Sequence, residues 1–379
     1  MTSTNNPPAA SSEPIATSPA PGESSPPASQ TTAPAAPKPA SNSSPLAPAK
    51  ESEYNRLHLN YRDPMPRPKV RGIVIDAHNH LLAARHAATW FETAAHYGID
   101  AFVTMAPLEE ALGSQRDWGG RVQFIAIPQW QTLTIDDWLR RIEAFHNLGS
   151  RIVKFHMAPG TIVRSNLRLD SPGIRRIMKE AVARGMILMS HVGDPDTWFH
   201  TRYTDTAKFG DRDLHYRLWE EAMSEYRDHP WLGAHLGGNP EDLGRLQSLF
   251  DRFPNLYLDN SATRWMVREI SRRRDEAREF VIRNQDRIIF GTDQVSGDDR
   301  GFDFLASRFW AHRKLWETAY VGPTPIYDPD LPEDQQPELR GLALPDGVIQ
   351  KLYHDNVLKL LARVGAGFDC QRFSTASAA

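Results

Sequence analysis

Two histidines one residue apart, His78 and His80, close the apolar run Gly72-Ile-Val-Ile-Asp-Ala-His-Asn-His80. Side chains at i and i+2 of a strand leave by the same face, so this spacing lets two imidazoles meet one metal ion. Four later apolar runs also finish on a ligand or proton carrier: Ile152-Val-Lys-Phe-His156, Ile187-Leu-Met-Ser-His191, Trp231-Leu-Gly-Ala-His235 and Ile288-Ile-Phe-Gly-Thr-Asp293. Imidazole nitrogen and carboxylate oxygen suit zinc and similar ions, and a catalytic site keeps one position for water. His78, His80, His191 and Asp293 would supply four such ligands once the strand ends meet. A divalent ion lowers the pKa of its water to about 7. Asp293, acceptor-only when ionised, can both touch the ion and take the proton of an attacking water. His235, one strand further round, is placed to orient that water or polarise a substrate oxygen.

Such residues need a frame that gathers strand ends. Short apolar runs near 73–78, 101–105, 122–127, 151–156, 186–191, 231–235, 256–260 and 287–293 read as eight strands, rich in Ile, Val, Leu and Phe with little alternation. That is the pattern of parallel strands covered on both faces. Helical segments lie between them. Thr134 with Asp137 opens one, Ser171-Pro172 the next with Gly185 as its stop, and Asn239-Pro240 another. Strand–helix alternation with eight strands predicts a (β/α)8 TIM barrel, whose active site lies at the C-terminal ends of the strands. After the eighth strand come a helix near 303–317, a Pro-rich excursion from Val321 to Leu344 and a final helix near 347–363. The excursion is too long for an ordinary connection, which leaves it as a pocket wall or a contact between copies of the chain.

The first residues are a different material. Residues 1–50 hold 12 of the 29 prolines, and no aromatic residue precedes Tyr54. Such a segment cannot bury enough apolar surface to offset its ordering entropy, so residues 1–53 are expected to form a disordered Pro/Ala/Ser-rich tail and residues 54–379 the barrel with its C-terminal helical extension. The tail lacks the basic start and apolar core of a secretory signal. Pro34-Ala-Ala-Pro37 and Pro45-Leu-Ala-Pro48 match a polyproline-ligand spacing that composition alone produces. A chain beginning at Glu51 is expected to keep the thermal midpoint of the full chain in a circular-dichroism melt, and a large drop would show that the tail supports the barrel. The net charge of -3 suggests neither a nucleic-acid nor an anionic-membrane partner. The lone Cys370 excludes an internal disulfide and suits a reducing cytoplasm.

Asp76-Ala-His-Asn-His80, His191-Val-Gly-Asp-Pro195, Ala234-His-Leu-Gly-Gly238, Phe290-Gly-Thr-Asp293 and Tyr353-His-Asp-Asn356 together resemble the amidohydrolase superfamily. The resemblance is to its amidohydrolase-related branch, which includes the aminocarboxymuconate-semialdehyde decarboxylase, and it runs from about Ile73 to Leu361. It implies a metal-dependent barrel enzyme acting on a small molecule, with His78, His80, His191 and Asp293 on the ion and His235 assisting catalysis. One zinc is the expected cofactor, and manganese, iron or cobalt would accept the same ligands. In binuclear members a carbamylated lysine on the fourth strand bridges two metals. Lys154 lies there, two residues before His156, and either can enter the site; its plainer use is to bind a substrate carboxylate or pair with an acid.

Weaker candidates surround these. Trp198, Phe199 and His200 follow the fifth strand, Gln129 and Trp130 the third, and Gly237-Gly238 would permit close backbone approach to a ligand. His86, His96, His146 and His312 read as ordinary solvated or packed histidines. Arg71, Arg121, Arg151 and Arg287 precede strands, away from the chemistry, and read as structural. The expected activity is hydrolysis of an amide, ester or lactone. The alternative is a nonoxidative decarboxylase on the same scaffold, weakened because the second strand closes on Thr104-Met-Ala-Pro107, without the arginine that such enzymes often place there. A catalytically silent barrel that uses its tail for partners is a third reading, opposed by the intact ligand set.

Overall fold

The computed structural model describes residues 50–127 and 134–369. The chain divides into two units, Met1–Leu46 and Ala47–Ala379, and every described residue belongs to the second. Gln129, Trp130, Cys370 and most of the expected tail lie outside the described residues.

Each of the eight apolar runs forms a strand: β1 (Ile75–His80), β2 (Ala101–Met105), β3 (Val122–Ala126), β4 (Ile152–His156), β5 (Ile187–His191), β6 (Trp231–Gly233), β7 (Leu256–Asp259) and β8 (Ile288–Ile289), which resumes as β9 (Gln294–Val295). All neighbours pair in parallel, in the order β8-β7-β6-β5-β4-β3-β2-β1-β9. The last segment closes the barrel, because its start pairs with β7 and its end with β1. Between them Ala77 N–H donates to Phe290 O at 2.9 Å and Asp293 N–H to His78 O at 2.7 Å. β1 ends two residues later than expected, so both histidines of the pair stand inside the strand.

Alternation divides the apolar residues into two sets, as a covered barrel requires. Ile75, Val103, Ile125, Ile187, Met189, Leu232, Ala234 and Ile289 form one buried cluster with Val357, Leu360 and Leu361 of the final helix, which plugs the barrel floor. Val74, Phe102, Phe124, Val153, Phe155, Leu188 and Leu258 pack outward against the helices. Because Val153 and Phe155 face out, Lys154 and His156 both face in. Thr134 and Asp137 cap the helix Ile135–Asn147 with a reciprocal capping box, and Ser171 precedes the helix Pro172–Ala183. The helix expected from Asn239-Pro240 instead begins at Leu243, where the Asp242 side chain accepts from Arg245 N at 2.9 Å. Residues 236–238 are already committed to a tight turn, with Gly237 at φ 66°.

One further expectation changes. The tail boundary at residue 53 is late: Glu51–Tyr54 form a one-turn helix, and Glu53 O accepts from Tyr327 N at 3.0 Å. Gly238 approaches protein backbone closely. A Cβ there would lie 2.2 Å from Gly193 O, at φ +71°, so the turns after β5 and β6 cross at bare backbone. Gly238→Ala is expected to cost about 2–5 kcal/mol in urea unfolding, left-handed strain plus overpacking. Gly185→Ala, also at positive φ but in open space, should cost only about 1–2 kcal/mol.

The excursion after the helix Phe302–Glu317 carries an antiparallel pair, Val321–Pro323 with Glu338–Arg340. It is anchored through Arg268, fully buried, which meets Asp328 at 2.7 Å, Asp330 at 3.2 Å and Glu269 at 2.6 Å. Asp330 also accepts from Trp198 Nε1 at 2.7 Å, so the excursion braces the loop after β5. The Tyr353-His-Asp-Asn356 motif is structural. Asn356 donates to Gln285 O and Ile288 O at 2.7 Å each, His354 Nδ1 lies 2.6 Å from Ile73 O, and the Tyr353 ring packs tilted against Phe290 at 4.3 Å. Among the described residues no helix is long and apolar enough to cross a membrane.

Candidate metal centre

His78 reaches the barrel interior through an irregularity in β1. Ile75 and Ala77 point inward, so strict alternation would turn His78 out. The β1–β2 register slips between Asp76 and Asn79, a bulge of the kind that re-aims side chains beside active sites. His78 Nε2 accordingly lies 2.8 Å from Lys154 Nζ and 3.3 Å from Asp293 Oδ1, and His80 Nε2 lies 3.1 Å from that same oxygen. Asp293 sits at the break between β8 and β9 with φ 56°, and His235 follows β6 with φ 57°. Left-handed backbone at two non-glycine residues is tolerated where surrounding structure enforces it, commonly at functional sites.

His78, His80 and Asp293 form a group able to hold a metal ion. Two imidazole nitrogens and a carboxylate oxygen converge, and a cation is what relieves such a meeting of lone pairs. The donor set therefore fits a divalent ion. His191 stands apart from the group: its Nε2 lies 2.9 Å from Asp194 Oδ1, a carboxylate that also accepts from Tyr203 OH at 2.7 Å. Its ring touches those of His156, at 4.4 Å between centroids, and His235, at 4.6 Å. The choice between Lys154 and His156 thus resolves as both facing inward, Lys154 on His78 and His156 against His191.

His235 is buried, stacks on His78 at 4.7 Å and meets the edge of Trp265 at 5.4 Å. Trp198 packs on Trp265 and so belongs to the wall. Phe199 packs within its own loop on Tyr203, and His200 faces solvent beside Asp196, so neither enters the centre. His86 pairs with Ser296 and Asp298, and His312 is buried behind Phe290. Arg121, Arg151 and Arg287 bond backbone carbonyls at the barrel's other end, as expected of structural arginines.

Burial and charge set the protonation states. Burial pulls His80 down to about 4, and it also holds His235 and His156 well below the usual histidine value and lowers Lys154. Burial opposes ionisation of Asp293, yet His235 and the adjoining His78 and His80 rings hold its carboxyl well below the usual range. At neutral pH, then, Asp293 is an acceptor and the His80 ring is uncharged. Asp76, fully buried, is pushed up to about 6 by burial, against hydrogen bonds from Thr292 and His78. It ties β1 to the eighth strand.

Several participants carry no sequence motif of their own. Asp259 and Ser261 contact both His78 and His235. The run Leu256-Tyr-Leu-Asp259 ends on a carboxylate just as the others end on histidine, which is the signal that would have marked it. Asp194 lies inside the His191 motif, and Trp265 has no local signal at all.

The sequence matches the amidohydrolase family model over residues 75–363. A comparison with the curated proteins finds no match. Among solved structures the chain is similar to an uncharacterized TIM-barrel protein from Bordetella bronchiseptica, 15% identical with a TM-score of 0.50, over 77% of this chain and 99% of that one. It is also similar to 5-carboxyvanillate decarboxylase from Sphingomonas paucimobilis, 11% identical with a TM-score of 0.48, over 76% and 99% of the two chains. A third is 4-oxalomesaconate hydratase from Rhodopseudomonas palustris, 12% identical with a TM-score of 0.47, over 80% and 99%. At 15% identity the first of these likenesses shows the fold alone. The family match carries more, since it begins in β1 and ends in the final helix that plugs the barrel, and on that ground the chain belongs to the amidohydrolase family.

Proposed function

We propose that this chain is a metal-dependent hydrolase that cleaves a C–N or C–O bond, in an amide, ester or lactone, of a small molecule. The observation that carries the reading is the convergence of His78 Nε2 and His80 Nε2 on Asp293 Oδ1, at 3.3 and 3.1 Å, directly beside His235. His78, His80 and Asp293 would hold one divalent ion, zinc in the first instance. His191 would serve as fourth ligand if it gave up its hydrogen bond to Asp194. When bound, the ion supplies Lewis acidity and makes water a nucleophile at neutral pH. Asp293, ionised and acceptor-only, receives the proton of the attacking water. His235 holds a second acceptor close by, and Trp265 and Trp198 shield that side from bulk solvent.

Decarboxylation is the second reading, favoured by one feature. Lys154 places a buried ammonium group 2.8 Å from His78, where it can take a substrate carboxylate. The end of β2 does not help it: the Thr104 hydroxyl is occupied by Leu81 N and Asn79 O. Metal analysis of the purified chain, then assays of esters, lactones and aromatic carboxylates for acid or carbon dioxide release, tests both readings. About one equivalent of metal with acid release supports the hydrolase, and carbon dioxide release selects the decarboxylase. Two equivalents, one of them lost in Lys154→Ala, would establish a bridging lysine. A chain that takes up no metal would overturn the proposal.

A further inference from the structure

Asp259 closes β7, and its carboxylate meets both histidines that flank the centre. Its Oδ2 lies 2.8 Å from His78 Nδ1, while its Oδ1 accepts from His235 N–H at 2.9 Å and from Ser261 Oγ at 2.5 Å. Ser261 Oγ in turn lies 2.8 Å from His235 Nδ1 and 2.9 Å from His78 Nδ1. His78, Asp259, Ser261 and His235 are all buried, none more than 2% exposed. With solvent excluded, every proton and lone pair must be matched within the group.

The proton count fixes both Nδ1 atoms. An ionised carboxylate only accepts, and a hydroxyl has one proton to give. Ser261 gives it to Asp259, across the shortest contact of the set. The serine oxygen is then an acceptor toward His235 Nδ1, which must carry a proton. His78 Nδ1 faces only acceptors, the carboxylate and the same serine oxygen, so it too carries a proton. In a neutral ring with its proton on Nδ1 the lone pair is on Nε2. On the His78 side that nitrogen faces Lys154 and Asp293.

We infer that Asp259 and Ser261 are positioning residues that set the tautomers of His78 and His235 together, His78 directly and His235 through the serine hydroxyl. One carboxylate thereby makes His78 Nε2 a metal donor and His235 Nε2 a proton acceptor. The inference rests on the metal reading above and adds a direction to it: His235 enters the reaction as a base. Outer hydrogen-bond partners of this kind fix imidazole orientation and raise ligand basicity.

The test uses the full chain, zinc and nitrogen-15-labelled histidine. Zinc affinity is measured by competition with a coloured chelator, and ring tautomers by nitrogen-15 nuclear magnetic resonance. Wild type should show Nδ1–H on both rings. Asp259→Asn should weaken zinc binding about 10–100-fold. Ser261→Ala should keep near-wild-type affinity while His235 loses its single Nδ1–H signature, and Ser261→Thr should restore it. A merely structural role would lower the melting temperature without moving either tautomer. The inference is overturned if both rings keep Nδ1–H in both variants, or if wild-type His235 carries its proton on Nε2. Should Asp259→Asn fail to fold, the Ser261 variants decide alone. Should wild type take up no zinc, the metal reading falls, and the tautomers of the metal-free chain still decide this one.

Discussion

His235→Ala is expected to lose turnover by about 10²–10⁴-fold while keeping its metal, the usual range for a positioned acid or base. The side chain lies against His78 but belongs to no group with Asp293, so its removal takes away a proton acceptor and leaves His78, His80 and Asp293 in place. Two measurements check this, metal content per chain and kcat on whichever substrate the assays identify. Metal lost together with activity would instead make His235 a ligand. An unchanged kcat would leave Asp293 as the working base. The conservative counterpart is Asp293→Asn, which keeps an oxygen toward the ion but cannot take a proton, so kcat should collapse with metal partly retained.

The second large effect concerns holding the ion. His78→Ala is expected to weaken metal affinity by more than about 100-fold, because even an outer partner of a ligand costs 10–100-fold. It removes a donor and also leaves Lys154 and Asp259 without the ring that both contact. Chelator competition measures it, with His191→Ala as the informative comparison. Equal losses would show that His191 leaves Asp194 for the ion, whereas near-wild-type affinity would show that it stays. Affinity should also fall as the pH drops toward about 4, where His80 protonates. The same shift has a stability sign. The folded value is depressed below the ordinary 6.5, so as pH falls from 6.5 toward 4 the unfolded chain takes up a proton that the folded chain refuses. This group therefore destabilises the metal-free chain across that window. Asp76, raised to about 6, acts in the opposite sense: its contribution is present below 3.8 and is lost as pH rises toward 6.

Much of this protein follows from local sequence. Strands were readable because their residues are apolar on both faces, and helix starts such as Thr134 and Ser171 because capping and proline chemistry act within a few residues. The positions of His78, His80, His191, His235 and Asp293 at strand ends followed from the same runs, since a parallel barrel gathers those ends on one face. Asn239-Pro240 misled because the turn after His235 had already claimed that stretch. Three-dimensional closure decided the rest. The slip in β1 that turns His78 inward depends on how β2 registers against it. His191 meets Asp194 rather than His78, His80 and Asp293 because its loop folds back through Tyr203. Asp259 gained its place only when β7 was seated between β6 and the eighth strand. Sequence by itself determined which donors reach the face of the barrel. Which lone pair faces which proton was decided by tertiary structure, because hydrogen bonds span a few ångströms between residues as far apart as His78 and Asp259, and no local pattern encodes such a distance.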